Sequence, residues 1–198
     1  MKKLRIVHDT HPMNPRDGDN LGKIACKSAR YDLGEEEISD PIEWLENMLG
    51  LSHKGVYSNE RLLELEDKFF KKYIGHRVYI YDHSGIALST SPFQCRWDSG
   101  QVGYIFISRK DAAKEYGRLN SKKILKILEY LDNEVKDYSS FFEGDVYGYI
   151  IEDEDGYEID SCYGFLGTDW KKNGMADNLE PALWPQLEDA ETEYETSY

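Results

Sequence analysis

The stretch Tyr79–Ile107, Y-I-Y-D-H-S-G-I-A-L-S-T-S-P-F-Q-C-R-W-D-S-G-Q-V-G-Y-I-F-I, decides how this chain is read. At its entry Val78 and Ile80 alternate with Tyr79 and Tyr81, and at its exit Val102, Tyr104 and Phe106 alternate with Ile105 and Ile107. A period of two marks strands, and apolar residues on both faces of the second one predict a central place in a sheet. Asp82-His83-Ser84-Gly85 reads as a turn into the short strand Ile86-Ala87-Leu88. The polar and aromatic run that follows predicts a long connection held between two strands, where binding residues often sit.

Working outward, the pattern alternates between helix and strand. Leu4–Val7 predicts a first strand, and the proline- and glycine-bearing segment 10–20 a loop. Leu21, Ile24, Ala25 and Ala29 have helical spacing, with Gly34 placed to stop a helix. Asp40-Pro41-Ile42-Glu43 combines an N-cap, a first-turn proline and an acid three residues after the cap, and Gly50 closes that helix. Leu62, Leu65, Phe69 and Tyr73 predict a helix from about 59 to 73, and Lys110–Tyr116 a short one. Ile124, Leu128, Leu131, Val135 and Tyr138 predict the longest helix, over 121–138. Segments 145–152 and 157–165 flank Asp153-Glu154-Asp155-Gly156 as a hairpin. The expected fold is α+β: a mostly antiparallel sheet with helices on one side, as a single domain over 1–175. Residues 176–198 are expected to be an acidic, partly disordered tail.

Composition bounds the function. With 198 residues, 40% hydrophobic and 31% charged, the chain reads as globular. It has no apolar run long enough to span a membrane, and its N-terminus lacks the apolar core of a secretory signal, so the expectation is an intracellular protein. Cys26, Cys95 and Cys162 are odd in number and never in C-x-x-C, which predicts free thiols. The net charge of −14 is uneven: residues 134–198 hold 18 Asp+Glu against 3 Lys+Arg, a net of −15, leaving +1 for residues 1–133. Such a field repels nucleic acid and anionic membranes and attracts basic protein surfaces.

Two places carry candidate chemistry. Asp82, His83, Cys95, Trp97, Asp98, Ser99 and Gln101 supply a ligand-binding set, with His83 and Cys95 as a base and a nucleophile if they meet. Glu152, Asp153, Glu154, Asp155, Glu158 and Asp160 crowd the predicted hairpin as a candidate partner-binding face, with tyrosines nearby. His8, Asp9, His11, Asp17 and Asp19 are metal-ligand types, but neither H-E-x-x-H nor the Ca²⁺-loop pattern is present, so no metal and no cofactor is expected. The phosphate-binding glycine motifs are absent as well.

The words N-P-R-D-G-D-N-L-G at 14–22, Y-D-H-S-G-I at 81–86, S-T-S-P-F-Q-C-R-W-D-S-G-Q-V-G-Y-I at 89–105 and G-D-V-Y-G-Y at 144–149 resemble a family of small uncharacterised proteins of bacteriophages and other mobile elements. That resemblance implies a phage accessory protein. Together with the charge it gives the leading expectation: a protein of the host cytoplasm that binds and inhibits a host defence factor with a basic surface, as an acidic nucleic-acid mimic. The alternative is a nucleotide- or small-molecule-binding protein, or a hydrolase, built on the 82–101 loop. A particle-assembly subunit is a third.

Overall fold

The computed structural model describes residues 2–27, 30–189 and 192–193. Its strands in chain order are β1 (Lys3–His8), β2 (Lys23–Cys26), β3 (Glu36–Glu37), β4 (Tyr73–Asp82), β5 (Ile86–Ser89), β6 (Ser99–Ser108), β7 (Val146–Glu152), β8 (Glu158–Leu166) and β9 (Thr192–Glu193). The helices are α1 (Pro41–Leu49), α2 (Asn59–Lys72), α3 (Arg109–Tyr116), α4 (Ser121–Glu143) and α5 (Trp184–Asp189). The class is α+β with mostly antiparallel pairing, as expected. By its internal contacts the chain divides into two compact units, Gly18–Lys136 and the pair of segments Met1–Asp17 and Asp137–Tyr198.

The central unit holds a five-stranded sheet in the order β3-β2-β6-β4-β5. β6 is central and buried from Val102 to Ile107. Cross-strand pairing puts Tyr104 with Arg77 and Phe106 with Gly75 on one face, and Ile105 with His76 and Ile107 with Ile74 on the other. Tyr104 and Phe106 pack with Trp44 of α1 and Phe69 of α2, the indole stacked on the Tyr104 ring at 5.4 Å. On the opposite face His76 Nε2 donates to the Leu128 carbonyl of α4 at 3.0 Å. Helices therefore cover both faces, which follows from the two-sided burial of β6 and corrects the expectation of one-sided cover.

Local chemistry sets the helix ends. Asp40 accepts from the Ile42 and Glu43 N–H groups, and Gly50 closes α1 in the left-handed region. Ser58 caps α2 and Ser108 caps α3. The segment expected to be helical from Leu21 is strand β2 instead, antiparallel to β6 and parallel to β3. Ile24, Ala25 and Cys26 are all buried, and a short strand buried on both faces has no period of two to reveal it. Gly34 does not cap a helix. It has φ 76°, and a Cβ there would fall 2.5 Å from the Ile24 carbonyl oxygen.

The second unit is a four-stranded sheet in the order β8-β7-β1-β9. One face gathers Leu4, Ile6, Tyr147, Tyr149, Ile151 and Phe165 against Met175, Leu179, Leu183 and Leu187. Residues 176–189 are thus the cover of this sheet and not part of a tail. Leu179, Leu183 and Leu187 recur every four residues and are 3–4% exposed, and each fully buried leucine contributes about 1.5–3 kcal/mol. Gln186 fastens α5 to β1, accepting from the Leu4 N–H at 2.9 Å and donating to the Lys2 carbonyl at 3.0 Å. The frayed end expected over the last residues lies, at 190–191 and 194–198, outside the described residues.

Candidate functional site

Among the acids after residue 133 two groups stand out. Glu134 accepts the Leu21 N–H at 2.6 Å, and ion pairs join Glu152 to Arg5, Asp169 to Lys172, Glu180 to Lys2 and Glu188 to Lys171 at 2.7–2.9 Å. The Asp169, Glu180 and Glu188 pairs are exposed and contribute little, whereas Glu134 and Glu152 tie the fold together. Glu152, expected among the partner contacts, belongs here: its side chain is 18% exposed and bonded to Arg5. The other group sits on the β7–β8 hairpin.

Asp153 anchors the turn, its Oδ1 accepting the N–H groups of Asp155 and Tyr157, both at 2.9 Å. Gly156 takes φ 83°, the left-handed corner such a turn needs. Glu154, Asp155, Glu158 and Asp160 are exposed. Among the described residues no ion pair engages Asp153, Asp155, Glu158 or Asp160. Glu158 accepts from Ser161 Oγ at 2.7 Å and Asp160 from Tyr149 OH at 3.4 Å, so both retain free acceptor positions. Tyr157, at the end of the turn, and Ile159 and Tyr163 on the edge strand β8 are 72%, 51% and 42% exposed. Register shifts in β8 break its alternation: Asp160 pairs with Ile151 and Glu158 with Glu152, so the two acids fall on opposite faces of the strand. Large apolar side chains interleaved with carboxylates on an open edge make a contact surface, and the same charges keep that edge from pairing with another copy.

The 82–101 set is only partly brought together. His83 Nδ1 and Cys95 Sγ both reach Asp98 Oδ2, at 3.3 and 3.7 Å. Asp98 thus stands between thiol and imidazole, and Cys95 gains no base to make it a nucleophile. The Ser99 hydroxyl donates to the Cys95 carbonyl and is occupied in closing the loop. Asp82 accepts from Tyr31 OH at 3.0 Å and pairs with Arg30 at 3.4 Å. Trp97 stands 96% exposed. Gln101 turns the other way, donating to Glu66 Oε1 at 3.0 Å.

That Glu66 carboxylate, not singled out by sequence, is enclosed and fully bonded. It is 2% exposed and receives Arg77 Nη2 at 2.6 Å, Arg77 Nε at 3.1 Å and Tyr104 OH at 2.8 Å besides Gln101. Burial opposes its charge, but the hydrogen bonds from Arg77, Gln101 and Tyr104 outweigh that and hold its pKa below the usual carboxylate value. Burial and the Glu66 charge push the Tyr104 phenol up. Glu46 is similar at 1% exposed, taking Arg61 Nη2 at 2.5 Å and His53 Nδ1 at 2.8 Å. The sequence signal was available: Glu66 lies four residues after Leu62 and three before Phe69, inside the apolar stripe of α2.

Cys26, Cys95 and Cys162 form no disulfide, and burial followed by the Glu35 charge pushes the Cys26 thiol up to about 12. Among the described residues no three His, Cys, Asp or Glu side chains gather as metal ligands, and no helix is long and apolar enough to cross a membrane. Compared with known proteins, the chain matches no family model, no curated protein and no solved structure.

Proposed function

We propose that this protein acts by binding another protein through the β7–β8 hairpin, with Asp153, Glu154, Asp155, Glu158 and Asp160 as the charged contact. The observation that carries the reading is the coincidence, on one hairpin, of Asp155, Glu158 and Asp160, which no ion pair engages among the described residues, with the exposed Tyr157 and Ile159. Long-range attraction from the acids speeds encounter with a basic surface, and the buried aromatic area then slows dissociation. Basic surfaces of this kind belong above all to proteins that handle nucleic acid. The resemblance to phage proteins narrows the partner to a host factor of that class, with the hairpin standing in for a nucleic-acid strand and blocking a defence enzyme.

The test is binding of the purified protein to a panel of host nucleases and nucleic-acid-binding proteins at increasing salt. The reading expects at least one salt-sensitive complex that DNA or RNA competes away. The variant carrying Asp153→Asn, Glu154→Gln, Asp155→Asn, Glu158→Gln and Asp160→Asn should lose that complex while keeping its fold. A complex that survives those changes, or none across the panel, overturns it. The ligand-binding alternative on the 82–101 loop is less favoured, because its His83–Asp98–Cys95 cluster lies in solvent around an occupied carboxylate, with His83 64% exposed.

A further inference from the structure

Strand β4 is ten residues long, but its edge away from β6 is paired with β5 only from Tyr79 to Asp82. From Tyr73 to Val78 no described strand occupies that edge. The reason is local. The Ser89 hydroxyl accepts the Ser91 N–H at 3.0 Å and turns the chain, the Thr90 hydroxyl donates to Asp132, and Pro92 has no N–H to continue a ladder. β5 therefore leaves β4 just where its register would have carried it along Val78 to Ile74.

A cleft of about 350 Å³ lies along this edge. It is lined from both faces of the sheet: Phe70, Tyr73 and Arg77 from one, Ile74, His76 and Leu128 from the other, with Gly75 at the backbone between them. A cavity bounded by both faces and by β4 itself is the slot of a missing strand. Gly75, His76, Arg77 and Tyr79 are partly exposed there. Arg77 there is paired with Glu66, which leaves Arg109 as the arginine that sets the charge of the rim, in a chain of net charge −14. No lining residue is acidic, and Arg109 opens onto the cleft. Arg109 Nε donates to the Lys71 carbonyl at 2.9 Å, and its Nη groups have no partner among the described residues.

We propose that the β4 edge from Ile74 to Val78 accepts one extended peptide segment with acidic side chains, contributed by a partner protein. Main-chain hydrogen bonds to β4 hold the segment, Arg109 selects its charge, and the apolar walls take alternate side chains. Five residues of strand span about 17 Å, the length of the open edge. This surface is independent of the hairpin, so either reading can fail alone.

The experiment uses the full chain and a synthetic peptide, acetyl-Thr-Glu-Val-Glu-Thr-Glu-Val-amide, with the same peptide bearing Lys for Glu and phenyl phosphate as comparisons. Backbone amide hydrogen exchange is the decisive readout. The acidic peptide should bind and slow exchange at every second amide between Ile74 and Val78, with the Lys peptide binding more weakly. Arg109→Glu should weaken the acidic peptide about fivefold, the loss of one exposed ion pair, and Arg109→Lys should restore most of it. Absence of binding, equal binding of the Lys peptide, or binding without protection of those amides overturns the proposal. Phenyl phosphate displacing the peptide without protecting any amide would identify a small-anion pocket in its place and overturn it too.

Discussion

The α2 carboxylate Glu66 and the hairpin carboxylates Asp153 to Asp160 have the same functional group and opposite fates. Glu66 is enclosed and meets a guanidinium, an amide and a phenol, so its charge serves only the fold. The hairpin acids face water, and no ion pair engages Asp155, Glu158 or Asp160 among the described residues. Net charge counts both kinds alike. Surroundings separate them: a charge held by fixed donors in a low-dielectric interior is part of the scaffold, whereas one left solvated on an edge is available to a partner.

Removing the enclosed carboxylate should have the largest effect. Glu66→Ala strips Arg77, Gln101 and Tyr104 of their shared acceptor, and breaking a buried pair costs about 3–5 kcal/mol. The Arg77 side chain is 38% exposed and can partly rehydrate, so about 3 kcal/mol is expected from urea denaturation. A loss under about 1 kcal/mol would place Glu66 with the surface acids. The pH dependence has a definite sign. Because the folded pKa of Glu66 lies below its ordinary 4.5, its contribution is fully present above that pH and disappears as pH falls through the folded value. The stability gap between the native protein and Glu66→Gln should therefore narrow from pH 7 to pH 3.

Next in size is the cover of the second unit. Leu183→Ala should cost about 2–3 kcal/mol, the low end for a buried leucine, since a short segment at a sheet face can close over part of the gap. No change in the denaturation midpoint would return residues 176–189 to the status of a tail. The hairpin should respond in the opposite way to both. Its five-fold amide variant keeps the Asp153 turn acceptor as Asn Oδ1, so the stability change should stay within about 0.5 kcal/mol per site while salt-sensitive binding disappears. A large loss of stability from those changes would erase the contrast between the two kinds of acid.

How much of this was legible in the sequence depended on how local the cause was. The caps at Asp40 and Gly50, the apolar stripe of α2, the two-sided burial of β6 and the Asp153–Gly156 turn all rest on neighbours within one element, and each was read. β2 was misread because three consecutive buried residues, Ile24, Ala25 and Cys26, look alike as helix or strand. The lock on Glu66 joins α2 to residues 11, 35 and 38 positions away, and only its place in an apolar stripe hinted at it. Residues 176–189 were mistaken for a tail because acids and prolines outweighed three anchors, Leu179, Leu183 and Leu187, whose partners lie in β1 and β7. At the candidate sites, the hairpin was legible as a cluster, but the Arg5 lock on Glu152 was not, being a contact across 147 positions.

The smallest effect is expected at the loop between β5 and β6. Trp97 is 96% exposed, so Trp97→Ala should shift stability by no more than about 0.5 kcal/mol, and Cys95→Ala should remove only a 3.7 Å contact to Asp98. The loop is closed by other groups: the Ser99 hydroxyl on the Cys95 carbonyl, and the Asp82 N–H on the Asp98 carbonyl at 2.8 Å. Thermal denaturation of both variants, with and without a panel of nucleotides, separates a loop that only connects strands from one that holds a ligand. A nucleotide present at 100 times its Kd stabilises the native protein by about 2.7 kcal/mol. If such a gain appeared and vanished in Trp97→Ala or Cys95→Ala, binding would belong to this loop, and an exposed tryptophan beside a His83–Asp98 pair would be an open ligand platform.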